Sequence, residues 1–326
     1  MTHKRYLHLL SFALDHPWAL TPGMLHVVAT IIGDRLAGMK ADSATIAAAV
    51  AQRRDAGPQP GRGGVAVIPM YGVLAPRANL LTEASGGTSF EALTGALRSA
   101  VDSPDVKTIV FDVDSPGGSV AGATEFAAEV RKARAVKPVI AVANHQMASA
   151  AYWTMANATK IHASPSAQVG SIGVFTIHND LSAALEKNGV KRTLVSAGKF
   201  KTELRDDAPL GDDALAYLTS IVADSYSTFV DDVAKGRSVA ASVVRGGYGE
   251  GRLVSASAGL DAGMIDEIRT LDDTLARLLP AGASLRQTAD TSQEPAPQAT
   301  DQDRTPDVAW QARATRDLLD LAIAAL

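Results

Sequence analysis

Two hydrophobic periods alternate along this chain. Val65-Ala66-Val67-Ile68-Pro69, Thr108-Ile109-Val110-Phe111-Asp112-Val113, Pro138–Ala143 and Lys160–Ala163 are short apolar runs of strand length. Tyr71–Leu74 continues the first as an extended segment, and Lys191–Ser196 closes the series as a last strand. Between them Phe90–Val101, Ser119–Ala135, Ser149–Ala158 and His178–Asn188 have helical length and pattern. Strands alternating with helices of this size predict βαβ units, an α/β fold whose mostly parallel sheet is covered on both faces. A long helix over Asp212–Arg237 follows, and Ala258–Asp266 and Leu271–Leu279 finish the core.

The flanks follow other rules. Thr21-Pro22 is an N-cap followed by proline at the first helical position, and Leu25, Val28, Ile32 and Leu36 then recur at helical spacing. Ala44–Arg53 predicts a second helix, and residues 56–64 form a Gly/Pro-rich loop. Asn79–Ser89 reads as a loop carrying Gly86-Gly87. From Arg286 to Arg304 there is almost nothing to bury, which predicts a disordered linker. Thr305-Pro306 restarts a helix with Trp310, Leu318 and Leu321 near one face, either a docking element or a helix folded back on the core. The expected organisation is a helical N-terminal arm over 1–60, a core domain over 61–282, and a linker with a short amphipathic helix over 283–326. The arm is too small to bury its own apolar face and should pack on the core or on a partner.

Composition narrows the chemistry. Lys plus Arg is 31 against Asp plus Glu 35, so charge gives no reason to expect nucleic acid or a membrane surface as partner. The absence of cysteine excludes disulfides, thiolate metal sites and a cysteine nucleophile. The 7 histidines have no ligand-like spacing and no GxxxxGK[ST] occurs, so no metal and no cofactor is expected. The apolar run Tyr6–Leu14 is cut by Asp15-His16-Pro17, and Met24–Ile32 stops at Gly33-Asp34-Arg35. Both fall short of the roughly 20 residues that span a bilayer. A soluble protein that is not exported is the expectation.

Candidate chemistry lies between Lys107 and Lys201. The Thr108 strand runs into Asp114-Ser115-Pro116-Gly117-Gly118, past the carboxyl end of a strand, where α/β folds bind ligands. Ser149 follows a strand and opens a helix, so its neighbours carry unpaired N–H groups able to meet a developing oxyanion. Ser149 could equally be a helix cap, and Gly117-Gly118 an ordinary turn. A serine hydroxyl needs a base, for which Lys201, Lys199 and His178 are candidates. A lysine base must lose solvent to lower its pKa from about 10.4. Ser171, between Gly170 and Ile172-Gly173, is a turn residue or a hydroxyl that orients the base.

Asp114-Ser115-Pro116-Gly117-Gly118, Met147-Ala148-Ser149-Ala150-Ala151-Tyr152, Gly170-Ser171-Ile172-Gly173-Val174 and Gly198-Lys199-Phe200-Lys201 occur in the order found in the signal peptide peptidase (protease IV) family, which this chain resembles over roughly residues 64–280. These are Ser-Lys peptidases of the Clp protease/crotonase fold. The family often has glycine where this chain has Ala150, which still supplies the N–H. The segment Ala258–Ile268, with Gly263-Met264-Ile265-Asp266, is similar to the family's closing segment. The resemblance implies Ser149 as nucleophile and Lys201 as general base. It also implies an oxyanion hole of Gly117 or Gly118 with Ala150, and Ser171 as support for the lysine. The family's lysine follows an aromatic residue, which favours Lys201 over Lys199. If that segment is extended, however, both lysines point the same way. The family further implies a homo-oligomer with sites shared between subunits, acting on unfolded polypeptides.

Leu9–Gly38 resembles the opening of the tailed-phage branch, the capsid protein C type of head maturation protease. The expected function is a serine endopeptidase cutting scaffold or capsid proteins in the host cytoplasm or inside the procapsid. A housekeeping peptidase that degrades peptides, a head protein that no longer cuts, and a crotonase-type acyl-CoA enzyme are the alternatives.

Overall fold

The computed structural model describes residues 17–21, 24, 62–77 and 87–279. The expected helices after Thr21-Pro22 and over Ala44–Arg53, most of the 79–89 loop, and the linker and helix beyond 280 lie outside these residues.

The centre is a mostly parallel sheet. Strand β2 (Val65–Tyr71) pairs in parallel with β5 (Thr108–Ser115), and β5 pairs in parallel with β7 (Val139–Ala148). Pro69 falls in β2 without breaking the ladder, because among the described residues β2 pairs on one side only. Strand β7 then divides its other edge. Its first half pairs with β8 (Lys160–Ala163) and its last three residues with β9 (Gln168–Gly170). Strand β10 (Leu253–Ser255) extends β9 in antiparallel sense, and β11 (Glu267–Ile268) extends β8 in parallel.

Alternation along β5 and β7 separates two cores. Ile109, Phe111, Val113, Val139, Ala141 and Ala143 face the larger one, with Phe90, Leu93 and Leu97 of α1 (Phe90–Asp102), Phe126 and Val130 of α2 (Ala123–Arg134) and Phe229, Val230 and Val233 of α5 (Asp212–Arg237). Val110, Ile140 and Val142 face the smaller one under Leu275 of α8 (Leu271–Leu278). The expected α/β fold with both faces of the sheet covered is therefore present.

A second sheet sits at the carboxyl edge of the first, in the order β1 (Trp18–Leu20), β6 (Gly117–Ser119), β3 (Leu74–Ala75), β4 (Thr88–Ser89). Two expectations are corrected here. The N-terminal arm is not wholly helical: Trp18, Ala19 and Leu20 are buried and extended, antiparallel to β6. Burying Trp18 and Leu20 stabilises this placement by roughly 1.5–3 kcal/mol per side chain. The helix expected from Ser119 starts only at Ala123, since Ser119 belongs to β6 and Gly122 takes a φ of 91° against the Phe90 ring.

The segment between β9 and α5 departs most from expectation. Its one helix, α4 (Ser182–Lys187), is shorter than His178–Asn188 and buries no residue. Lys191–Ser196 is not a strand. Among the described residues no strand pairs with it, and Leu194 and Val195 are exposed, Val195 at 95 %. Two short helices, α6 (Ala241–Gly247) and α7 (Ala256–Asp261), return the chain to the core.

Candidate active site

Helix α3 (Ala150–Met155) begins where β7 ends, and Ser149 is the residue at the join. Its backbone takes φ 51° and ψ −118°, outside the regions open to L-residues without cost. Three contacts impose that conformation. The Ser149 N–H donates to the Gly170 carbonyl (2.7 Å), its carbonyl accepts from Trp153 N–H (2.8 Å), and α3 is buried throughout. Trp153 stacks on Phe229 with ring centroids 4.4 Å apart, and its Nε1 donates to Asp232 (2.9 Å), which also pairs with Arg131 (3.0 Å). Tyr152 donates its hydroxyl proton to the Met264 carbonyl (2.9 Å). Gly236 lets α5 approach the end of α3, where a Cβ would lie 2.4 Å from the Ala156 carbonyl oxygen.

The Ser149 hydroxyl does not cap its helix. It is buried at 1 % exposure, and among the described residues Oγ has no hydrogen-bond partner. An unpaired buried hydroxyl costs roughly 1–3 kcal/mol, and the strained backbone adds to that.

The glycine turn lies against this serine. Ser115 donates its hydroxyl proton to the Gly72 carbonyl (2.7 Å) and accepts from Gly117 N–H (3.2 Å), which turns the chain out of β5 into β6. Gly117 has a φ of 100°, and a Cβ there would sit 2.9 Å from Ser149 Cβ, 3.0 Å from Ala150 N and 2.3 Å from the Ala19 carbonyl oxygen. At Gly118 a Cβ would overlap the Leu74 backbone. Both glycines are thus required by close approach of main chain. Ala150 N–H is the first of α3 and has no partner inside the helix. Gly170 and Ser171 both have positive φ, and the Ser171 N–H donates to the Arg252 carbonyl (2.9 Å).

Gly117, Ser149, Ala150 and the Gly170-Ser171 turn are therefore together. Lys201 is not with them. It is exposed in a turn closed by its own N–H to the Gly198 carbonyl (3.2 Å), so the extended geometry considered for Lys199–Lys201 does not occur. Lys199 Nζ lies over the Phe200 ring at 4.5 Å, and His178 Nε2 is bonded to the Arg205 carbonyl (2.9 Å). None of these bases is hydrogen-bonded to Ser149 Oγ. The Trp153–Asp232–Arg131 cluster and β1 were not singled out by sequence reasoning. Pro17 and Pro22 bracketing Trp18–Leu20 were the available signal for β1, since proline disfavours helix in the residue before it.

Residues 131–283 match the model of Peptidase family S49. This stretch, just under half of the chain, is similar to the S49 peptidases. The chain is 31 % identical over 283 residues to "Capsid assembly protease C" of Escherichia phage lambda, covering 82 % of this chain and 64 % of that protein. It is 25 % identical over 288 residues to "Head-tail preconnector protein GP5" of Enterobacteria phage P21, covering 84 % and 57 %. The chain thus spans less than two thirds of the length of these relatives. Among solved structures, a ClpP1 variant from Listeria monocytogenes aligns with a TM-score of 0.41 and 14 % identity, over 64 % of this chain and 94 % of that one. Among the described residues, no helix is long and apolar enough to cross a membrane.

Proposed function

We propose that this protein is a serine endopeptidase of the S49 type, with Ser149 as nucleophile and Lys201 as general base. The observation that carries the reading is the Ser149 hydroxyl. It is buried, without a hydrogen-bond partner among the described residues, and held at strained dihedrals beside Gly117 and the Ala150 N–H that opens α3. Ser149 Oγ would attack the scissile carbonyl while the lysine amine takes its proton. The carbonyl oxygen, now negative, would be met by the N–H groups of Ala150 and of Gly118 or Gly117. The protonated lysine would then return that proton to the leaving amine, and water would release the acyl group by the reverse sequence. Ser171, one residue past the carbonyl that holds Ser149, would help fix the incoming lysine.

Since Lys201 stands on an exposed turn, the base would come from a neighbouring subunit. Phe200, Leu204 and Tyr217 are exposed and line one groove with Lys201, an apolar surface that suits burial against a second copy. Burial there would also strip solvent from Lys201 and lower its pKa toward neutrality. Similarity to a capsid assembly protease and a head–tail preconnector protein supports scaffold or head proteins of a phage or prophage as substrates.

The test is cleavage of unfolded casein by wild type, Ser149→Ala, Lys201→Ala, Lys199→Ala and His178→Ala, followed on a gel. Loss in the Ser149 and Lys201 variants alone is expected. Loss at His178 with retention at Lys201 would replace the base.

A further inference from the structure

The strand β1 lies on the catalytic side of the glycine turn, and its hydrogen bonds define what occupies that slot. Thr21 N–H donates to the Pro116 carbonyl (3.1 Å) and Val120 N–H to the Pro17 carbonyl (3.3 Å). In an antiparallel ladder the bonded pairs recur every second residue, so Ala19 and Gly118, which the register sets opposite each other, form the bonded pair between them. The Ala19 carbonyl is thereby aimed at the Gly118 N–H, a donor assigned above to the oxyanion. It also lies next to the same Gly117 that touches Ser149 Cβ and Ala150 N. On its other edge Trp18 exchanges both backbone bonds with Phe175, N–H to carbonyl at 2.8 Å and the reverse at 3.1 Å. Pro17–Thr21 is therefore an extended peptide clamped between β6 and Phe175, its Ala19 carbonyl against the same Gly117 that approaches the buried Ser149.

We propose that residues 17–21 are a built-in pseudosubstrate. They hold the groove in which a polypeptide substrate lies antiparallel to β6, and substrate reaches Ser149 only when β1 leaves. This inference rests on the peptidase reading for the role of Ser149, but the groove and its occupant are properties of the backbone geometry alone. Extended peptides add to open strand edges through main-chain bonds and so accept many sequences, which is the mode a vacated β6–Phe175 slot would offer. Anchoring by buried Trp18 and Leu20 keeps the slot closed in the isolated subunit. If β1 occupies it for about nine-tenths of the time, apparent substrate affinity falls about tenfold.

The chain has no cysteine, so a lock can be introduced cleanly in the full-length protein. Trp18→Cys with Phe175→Cys joins a bonded antiparallel pair, whose Cα separation of about 5.5 Å suits a disulfide. Ala19→Pro acts the other way, removing the N–H that faces the Gly118 carbonyl. Both are made in a Ser149→Ala background, and binding of fluorescein-labelled unfolded casein is read by anisotropy, so failure of the peptidase chemistry leaves the result intact. Melting curves establish that each form is folded, and the oxidised and reduced lock are the same polypeptide. The expected result is binding about tenfold or more weaker in the oxidised than in the reduced lock, and tighter in Ala19→Pro than in its parent. Equal binding by both redox forms, or casein that binds no form including Ala19→Pro, would overturn the proposal.

Discussion

Removing the Asp232 carboxylate should loosen the helix that presents Ser149. Asp232 is 3 % exposed, accepts from Trp153 Nε1 at 2.9 Å and pairs with Arg131 at 3.0 Å. In Asp232→Ala the indole N–H stays buried without an acceptor, which costs roughly 1–3 kcal/mol. Arg131 loses its carboxylate; a fully buried pair broken this way costs about 3–5 kcal/mol. The Arg131 side chain is 26 % exposed and keeps a bond to Asn157 Oδ1 at 2.7 Å, so the smaller part of that range applies. A total of about 4–6 kcal/mol follows, or a fall in melting temperature of about 10 °C for a chain of this size. Asp232→Asn keeps an acceptor for the indole and should cost only about 1–2 kcal/mol. Urea unfolding of the three proteins at neutral pH measures both differences. Because Trp153 N–H bonds the Ser149 carbonyl, Asp232→Ala should also lose peptidase activity before it unfolds. Equal stability of Ala and Asn variants, or a loss below 1 kcal/mol in both, would refute the view that this cluster anchors α3.

Three further outcomes are expected. Ser149→Gly should be more stable than wild type by about 1–2 kcal/mol in chemical denaturation, because it relieves a strained φ and an unpaired hydroxyl while losing some chain entropy; a variant no more stable would mean Ser149 stores no strain. Gly117→Ala should lose roughly 2–6 kcal/mol in the same assay from its positive φ and the overlap with the Ala19 carbonyl, and a loss under 1 kcal/mol would contradict the packing around the turn. Burial raises the Asp266 pKa, but hydrogen bonds from Arg237 and Ile161 N–H and the charges of Arg237 and Lys160 outweigh it, leaving a value below the ordinary carboxylate range. Its contribution is therefore present above about pH 4 and lost as pH falls below that, so Asp266→Asn should be less stable than wild type at pH 7 with the gap closing on acidification.

Local signals made the central layers legible. The runs at Val65, Thr108, Pro138 and Lys160 are uninterrupted because β2, β5, β7 and β8 lie between packed layers, and the Asp212–Arg237 pattern matches α5 at both ends. Ser149, Ala150 and Gly117 were singled out because a strand–turn–helix join and a glycine pair leave marks in sequence, and the fold draws them together. What escaped was decided by distant contacts. Trp18–Leu20 is extended only because β6, about a hundred residues away, offers it an edge. Lys191–Ser196 carries strand-like residues but finds no edge, so propensity alone forms nothing there. Asp232 looked like one more polar position on a long helix until α3 was laid against it. The extended geometry considered for Lys199 to Lys201 gives way to an exposed turn, because the main chain there closes on itself from Lys201 N–H to the Gly198 carbonyl instead of joining a sheet.

The central claim is that Ser149 and Lys201 of different subunits form one catalytic pair. Mixing separately inactive Ser149→Ala and Lys201→Ala proteins under conditions that exchange subunits, then following casein cleavage, tests it most directly. Recovery of cleavage in the mixture is predicted, since some interfaces would combine an intact serine with an intact lysine. A mixture as inactive as its parts, beside active wild type treated the same way, would contradict the account.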